Sequence, residues 1–467
     1  MHPLRHGAFA LLATLAAVAV AGPAARANTD LDTFGFGGRG PALGGAYTAL
    51  ASDYTATYYN PAGLVGTRDG SFGAGFSFAD YGLEFDPDGG SAVADDAERI
   101  DDLSAISFGV TKTLGPAGTF ANRVSLGIGL FLPTRKVVGA TVRTAPGEPR
   151  FFMYGEQRDK IAILPAAAFK VFESEDGHTL SIGAGFSALA DIDGRFEINV
   201  FGNARPFLVE QELDYDAAPI FGLFWWPLPW LSFGVTYRGE LSLKADLVAP
   251  IDVDGLPETP PDVVLDLEAI TLFSPAQIQG GFAIDPLVPF DPTLDWLTIA
   301  FDLTYLFWSD FHDPFLVVDT GSGLGAGQID PDFRDVFIPR LGIEIAPIKY
   351  LAVRLGYFFQ PSPVPEQDHS GAAETNILDA DKHVISLGVG IYIWSERDEV
   401  ETLETGEKVV KTVPYTPFSV DLFVQYHILE STRNDKDLVN GPSPIVATGY
   451  EVEGSILNVG VFLNFRF

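Results

Sequence analysis

Runs in which apolar and polar side chains alternate recur along this chain, and they limit its fold more than any other feature. Over residues 456–467, Leu457, Val459, Val461, Leu463, Phe465 and Phe467 share one parity. Asn458, Gly460, Asn464 and Arg466 share the other, with Ile456 and Phe462 out of pattern. The same period appears at Leu231, Phe233, Val235 and Tyr237, at Leu351 to Phe359, and at Phe418 to Ile428. Successive side chains on a strand point to opposite faces, so each run reads as a strand with one apolar face.

Fourteen such strands are expected, near 71–85, 103–113, 121–134, 161–172, 178–190, 215–225, 229–246, 273–284, 295–308, 335–346, 350–360, 383–393, 417–428 and 456–467. Most are about 10–14 residues long, which suits tilted bilayer strands of about 9–11 residues better than soluble strands of about 5–6. Long and short connections alternate, as in barrels with short periplasmic turns and long extracellular loops. The stretch 394–416 breaks that rule: it is either an extended hairpin or a misplaced strand. Aromatic strand ends at Phe307-Trp308, Phe358-Phe359 and Trp394 fit interfacial girdles better than a soluble sandwich. The expected fold class is all-β: a fourteen-stranded antiparallel transmembrane β-barrel.

Composition limits the function. The net charge is −33, with 62 acidic against 29 basic residues, which disfavours nucleic acid as a partner. The absence of cysteine excludes disulfides and thiolate metal sites. The apolar run Ala8–Gly22, behind Arg5 and ahead of Ala25-Arg26-Ala27, reads as a secretory signal over residues 1–27. Its length falls short of the roughly 20 residues that span a bilayer as a helix.

Residues 28–70 carry no strand pattern and precede a barrel of residues 71–467. They hold Gly38-Arg39-Gly40-Pro41-Ala42-Leu43-Gly44-Gly45-Ala46, then Asp53 and Asn60-Pro61-Ala62-Gly63-Leu64. This segment resembles the N-terminal plug of the FadL/TodX family of outer-membrane transporters for long-chain fatty acids and other hydrophobic compounds. Trp230 to Arg238, Ser274 to Gly281, Asp302 to Trp308, Pro339 to Gly342 and Arg354 to Tyr357 extend the resemblance along the mature chain. It implies an N-terminal hatch in the lumen, capture of hydrophobic cargo from outside, and lateral exit through a gap beside a kinked third strand. It also implies residence in the bacterial outer membrane among its lipids, and insertion by the barrel assembly machinery through the C-terminal Phe467.

Candidate residues follow from this frame. Gly44, Gly45, Asn60, Pro61 and Ala62 carry the hatch signature, with Asn60 expected either to bond hatch to wall or to make a simple Asn-Pro turn. Leu31, Phe34 and Phe36 are candidates to line the ligand pocket and to shift on release. Arg238, Arg340 and Arg354 face inward on the strand register and would pair either with a cargo carboxylate or with Asp302, Glu344 or Asp421. Gly127, Gly129 and Pro133 are the candidate wall kink, because proline removes a ladder bond and glycine tolerates a bend.

No enzyme is expected. Gly35 to Gly40 fits G-x-G-x-x-G but opens no βαβ unit. His178, His312, His383 and His427 are scattered, and no G-x-S-x-G elbow occurs. No metal or cofactor is called for, and the acidic Asp95-Asp96 and Asp101-Asp102 read as solvated loop rather than calcium ligands. Gly321–Gly327 reads as a flexible loop. A diffusion porin or a structural barrel is the alternative, and residues 28–70 discriminate, since a porin needs no plug. Which hydrophobic cargo is carried is left open.

Overall fold

The computed structural model describes residues 26–27, 29–66, 70–87, 100, 102–115, 119–134, 150–151, 153–154, 160–174, 177–190, 195–198, 207–210, 215–251, 263–291, 294–311, 315–319, 332–365, 377–402, 408–435 and 449–467. Most of the expected signal sequence, the acids Asp95, Asp96 and Asp101, His312 and Gly321–Gly327 lie outside the described residues.

Fourteen antiparallel strands close into one barrel. They are β1 (Gly70–Pro87), β2 (Leu103–Thr113), β3 (Val124–Pro133), β4 (Ile161–Glu173), β5 (Thr179–Ala190), β6 (Tyr215–Leu228) and β7 (Leu231–Arg238). The second half comprises β8 (Gln277–Ile284), β9 (Leu297–Leu306), β10 (Val336–Ile348), β11 (Leu351–Gln360), β12 (Lys382–Thr402), β13 (Lys408–Asp435) and β14 (Gly449–Arg466). Each pairs with the next in sequence, and β14 returns to β1 over Ser71↔Arg466 to Pro87↔Tyr450.

The alternation sorts side chains as expected. Ile385, Leu387, Ile391 and Ile393 of β12 point outward and are about half exposed. A belt of this kind around the whole barrel is stable only against lipid. The two residues of β14 that break the alternation, Ile456 and Phe462, are buried on the luminal side. Phe462 stacks on Phe423 there.

Three expectations change in detail. The run 229–246 is not one strand. It breaks at Gly239–Glu240, and Leu241–Ile251 leaves the wall to pair with Val263–Ser274. The run 273–284 breaks likewise at Pro275–Ala276 before β8. Proline cannot donate to a ladder, and the Gly239 N–H makes the last bond of the β6–β7 pairing, to the Pro219 carbonyl. The stretch 394–416 is an extended hairpin: β12 and β13 stay paired from Ser395↔Tyr415 to Thr402↔Lys408. It projects on the order of 25 Å past the barrel, on the side of the short turns, which is periplasmic.

The third correction concerns the wall. The β3 ladder is continuous on both sides, from Ala105↔Pro133 to Thr113↔Ser125 and from Val124↔Phe169 to Phe131↔Ala162. No gap opens along residues 124–131; Leu132 and Pro133 keep their pairing with β2 alone. The glycines have another reason. A Cβ on Gly127 would meet Leu64 and Thr57 at 2.9 Å, and one on Gly129 would meet Thr57 at 2.7 Å. Gly127 and Gly129 make room for residues 57–64 of the luminal segment, and Pro133 ends the β3 pairing with β2.

Candidate functional site: the hatch and the luminal cavity

Residues 29–66 pack inside the barrel against the inner wall, where the hatch is expected. Three short helices punctuate them: α1 (Asp30–Phe34), α2 (Arg39–Ala42) and α3 (Ala56–Tyr59). Thr29 caps α1 in a reciprocal box with Asp32. So little regular structure leaves many buried backbone groups in need of partners, and the wall supplies them. Ser181 donates to the Ala62 carbonyl, Ser232 to Ala49, Thr236 to Tyr59 and Gln425 to Pro41, at 2.8–3.1 Å. Asp302 accepts from the backbone of Tyr47 and Thr48 at 3.0 and 2.9 Å, with Gln279 holding the same carboxylate at 2.8 Å.

The signature residues sit at the tightest joints. Asn60 donates to Thr48 O at 2.9 Å and to Leu223 O of β6 at 3.0 Å, and its side-chain oxygen accepts from Ala62 N at 3.1 Å. It both shapes the turn over Pro61 and fastens the hatch to the wall. Gly44 and Gly45 have φ of 64° and 75°, the left-handed region that side chains disfavour. A Cβ on Gly356 of β11 would lie 2.1 Å from Gly44 N, so hatch and wall meet there backbone to backbone.

The three arginines fall into different roles. Arg354 bonds Glu344 at 2.6 Å, Asp421 at 2.5 Å and Tyr392 at 2.5 Å. Arg39 of α2 grips the same Glu344 with two bonds of 2.8 Å. Arg238 bonds Asp32 at 2.7 Å and the Tyr58 carbonyl at 3.0 Å, with its guanidinium 3.9 Å from the Tyr58 ring centre. Arg340 differs. It reaches Gly44 O at 3.1 Å, Thr304 Oγ1 at 3.5 Å and the Phe358 ring at 4.3 Å. Among the described residues no carboxylate lies within ion-pair reach of it.

Arg340 borders a cavity of about 30 Å³, with Leu31, Phe34, Tyr58, Ile338 and Phe358 on its apolar side. Gln277, Gln279, Gln360 and Gln425 add amides. A water needs about 10–15 Å³ on this measure, so two or three would fit and an alkyl chain would not. A smaller cavity of about 10 Å³ lies toward β2 and β3, between Leu103, Phe131 and Phe462. Phe34 and Gly35 border both, so Phe34 stands as the partition. Leu31 and Phe34 thus line the cavity, whereas Phe36 is buried deeper, against Tyr54 and Tyr58. Arg238 and Arg354 do not border it.

This barrel fold has solved counterparts. A FadL homologue from Pseudomonas aeruginosa superposes with a TM-score of 0.55 at 14% identity, over 92% of this chain and 98% of that one. The chain has a FadL-like barrel fold. The FadL-like fold also matches the monoaromatic hydrocarbon channel CymD, at a TM-score of 0.53 and 14% identity over 94% and 99% of the two chains. It matches the Pseudomonas putida toluene transporter TodX at 0.51 and 14% identity, over 93% and 99%. In sequence it is 26% identical to alkane uptake protein A of Marinobacter nauticus over 352 residues, 72% of this chain and 73% of that protein. No family model matches the sequence.

Sequence reasoning missed Asp32, Tyr58 and the ring of glutamines. Thr29-x-x-Asp32 has the spacing of a helix start, which was a readable signal for α1. The glutamines share luminal parity with residues already assigned inward, and that parity alone would have placed Gln277, Gln279 and Gln425.

Proposed function

We propose that this barrel carries hydrophobic compounds across the outer membrane by capture in the lumen, displacement of the hatch and lateral release into the bilayer. The observation that carries the reading is a small, partly apolar luminal cavity with Phe34 of the hatch on its boundary. Cargo of useful size needs that boundary to move. Each methylene transferred from water contributes about 0.8 kcal/mol, so a C16 chain released straight into water would face a steep cost, and transfer to lipid avoids it. A porin reading has no support in a lumen filled by 29–66.

Long-chain alkanes and fatty acids are the cargo this reading favours. The alkane uptake relative supports the first, and Arg340, a half-buried cation at the cavity edge with no carboxylate within ion-pair reach among the described residues, supports the second. The two are separable. Arg340→Met should lower the ratio of palmitate to hexadecane binding by roughly tenfold or more, since charge-assisted bonds contribute about 1.5–3 kcal/mol. An unchanged ratio removes Arg340 as the head-group partner.

The exit we assign is the β4–β5 seam rather than β3. Their register carries no pair at Leu164 or Pro165 between Ile163↔Ala188 and Ala166↔Gly185. Pro165 has no N–H to give, so this seam is weaker than its neighbours. Deleting residues 28–36 tests the whole reading. Hexadecane and palmitate uptake into cells should change while the barrel stays folded by heat-modifiable gel mobility. Unaltered uptake of both would reject hatch gating.

A further inference from the structure

The luminal face of β12 and β13 carries two polar side chains that nothing among the described residues pairs. His427 is fully buried, and neither ring nitrogen has a hydrogen-bond partner. Ser386 is also fully buried, and its hydroxyl lacks one too. Val384 stands opposite His427 and Ser386 opposite Gln425. The two residues are therefore diagonal neighbours on one face, about 7–8 Å apart. Buried polar groups are almost always satisfied, so an unpaired imidazole beside an unpaired hydroxyl needs a partner the wall does not provide.

His427 is covered by one ring of the hatch and one of the wall. Phe34 meets the His427 ring edge-on at 5.4 Å and 68°, and Phe358 meets it at 6.1 Å and 89°. Phe34, Phe358 and Gln425 also border the larger cavity. Displacing Phe34 would therefore join that cavity to His427. The charged groups that act on the ring are Lys382 and Arg340, both cationic. Such surroundings suit an oxygen ligand and disfavour an amine.

We propose that His427 and Ser386 form the polar end of a cargo subsite that takes the hydroxyl of a neutral, oxygenated hydrocarbon such as a long-chain alcohol. A neutral imidazole offers one donor and one acceptor nitrogen, and a serine hydroxyl does either. An alcohol likewise donates and accepts, so it satisfies groups that an alkane leaves bare. The subsite rests on the transport reading above, because Phe34 must leave for it to open.

The test compares equilibrium binding of radiolabelled 1-hexadecanol and hexadecane to the full-length protein in detergent, each corrected for partition into that detergent. The intact protein should favour the alcohol by about tenfold, the discrimination expected when one hydrogen-bonded site is left unpaired by the alkane. In His427→Phe that ratio should collapse toward one, and His427→Gln should restore part of it. Ser386→Ala, a small change that preserves packing, should lower the ratio on its own. Equal ratios in all four proteins would overturn the subsite while leaving hydrocarbon transport standing. Binding of neither compound to the intact protein would overturn both.

Discussion

Asp32 concentrates more of the hatch's attachment than any other side chain described. Its carboxylate accepts from Thr29, Tyr58, Arg238, Ser274 and Gln277, tying α1 to α3 and to the wall. Asp32→Ala would leave Arg238 buried without an acid, a loss of about 3–5 kcal/mol for a broken buried pair. Amide exchange over residues 29–36 should accelerate strongly while the strands stay protected. Unchanged exchange there would mean the latch is elsewhere. On the extracellular side, burial raises the Asp379 carboxyl to about 6, partly offset by the 2.6 Å bond from Ser362. Its folded value lies above its ordinary one, so the stability it contributes is full in acid and fades as pH rises through about 6. Exchange over 377–381, corrected for its intrinsic pH dependence, should be faster at pH 7.5 than at pH 5, and Asp379→Asn should abolish the difference. Asn60 and the glycine pair were legible as residues because each demands a particular backbone. The reach of Asp32 to Arg238, Ser274 and Gln277 was not, because those three partners lie more than 200 positions away along the chain.

At the scale of elements, all fourteen wall strands were legible and their ends less so. The period that marks β7 continues through Gly239 into Leu241–Ile251, and the period that marks β8 begins before Pro275. Alternation reports a pleated ribbon, not the solvent around it, so a strand leaving the bilayer keeps the same signature. The β3 kink was misread for a related reason: glycine permits a bend and also permits a close neighbour, and only the neighbour was decisive here. The seam between β4 and β5 offers a direct test of the exit. A disulfide joining Ile163→Cys to Ala188→Cys, which are register partners, should block hexadecane uptake until it is reduced. A second bridge, between Leu126→Cys and Ala167→Cys on the β3–β4 pair, should leave uptake intact. Equal block by both would show that any stiffening of the wall suffices.

At the scale of the whole molecule, hydrophobic residues and charge occupy separate places. The apolar belt faces lipid, and the luminal charges described above are largely paired within it, as in Arg39–Glu344–Arg354–Asp421. A lumen so filled predicts little ionic current. Planar-bilayer recordings should give near-silent channels for the intact protein and stepwise openings once residues 28–36 are removed. A large steady conductance before removal would favour a porin. The contact of Gly44 with Gly356 also bears on how such a barrel could diversify. No side chain can be added on either side of that joint, so mutation there can only damage the seat. New cargo preferences must therefore accumulate across the cavity, at positions such as Thr304, Leu306, Ile338 and Gln360, where a changed side chain alters the space offered to the passenger and leaves the door hung on the same hinge.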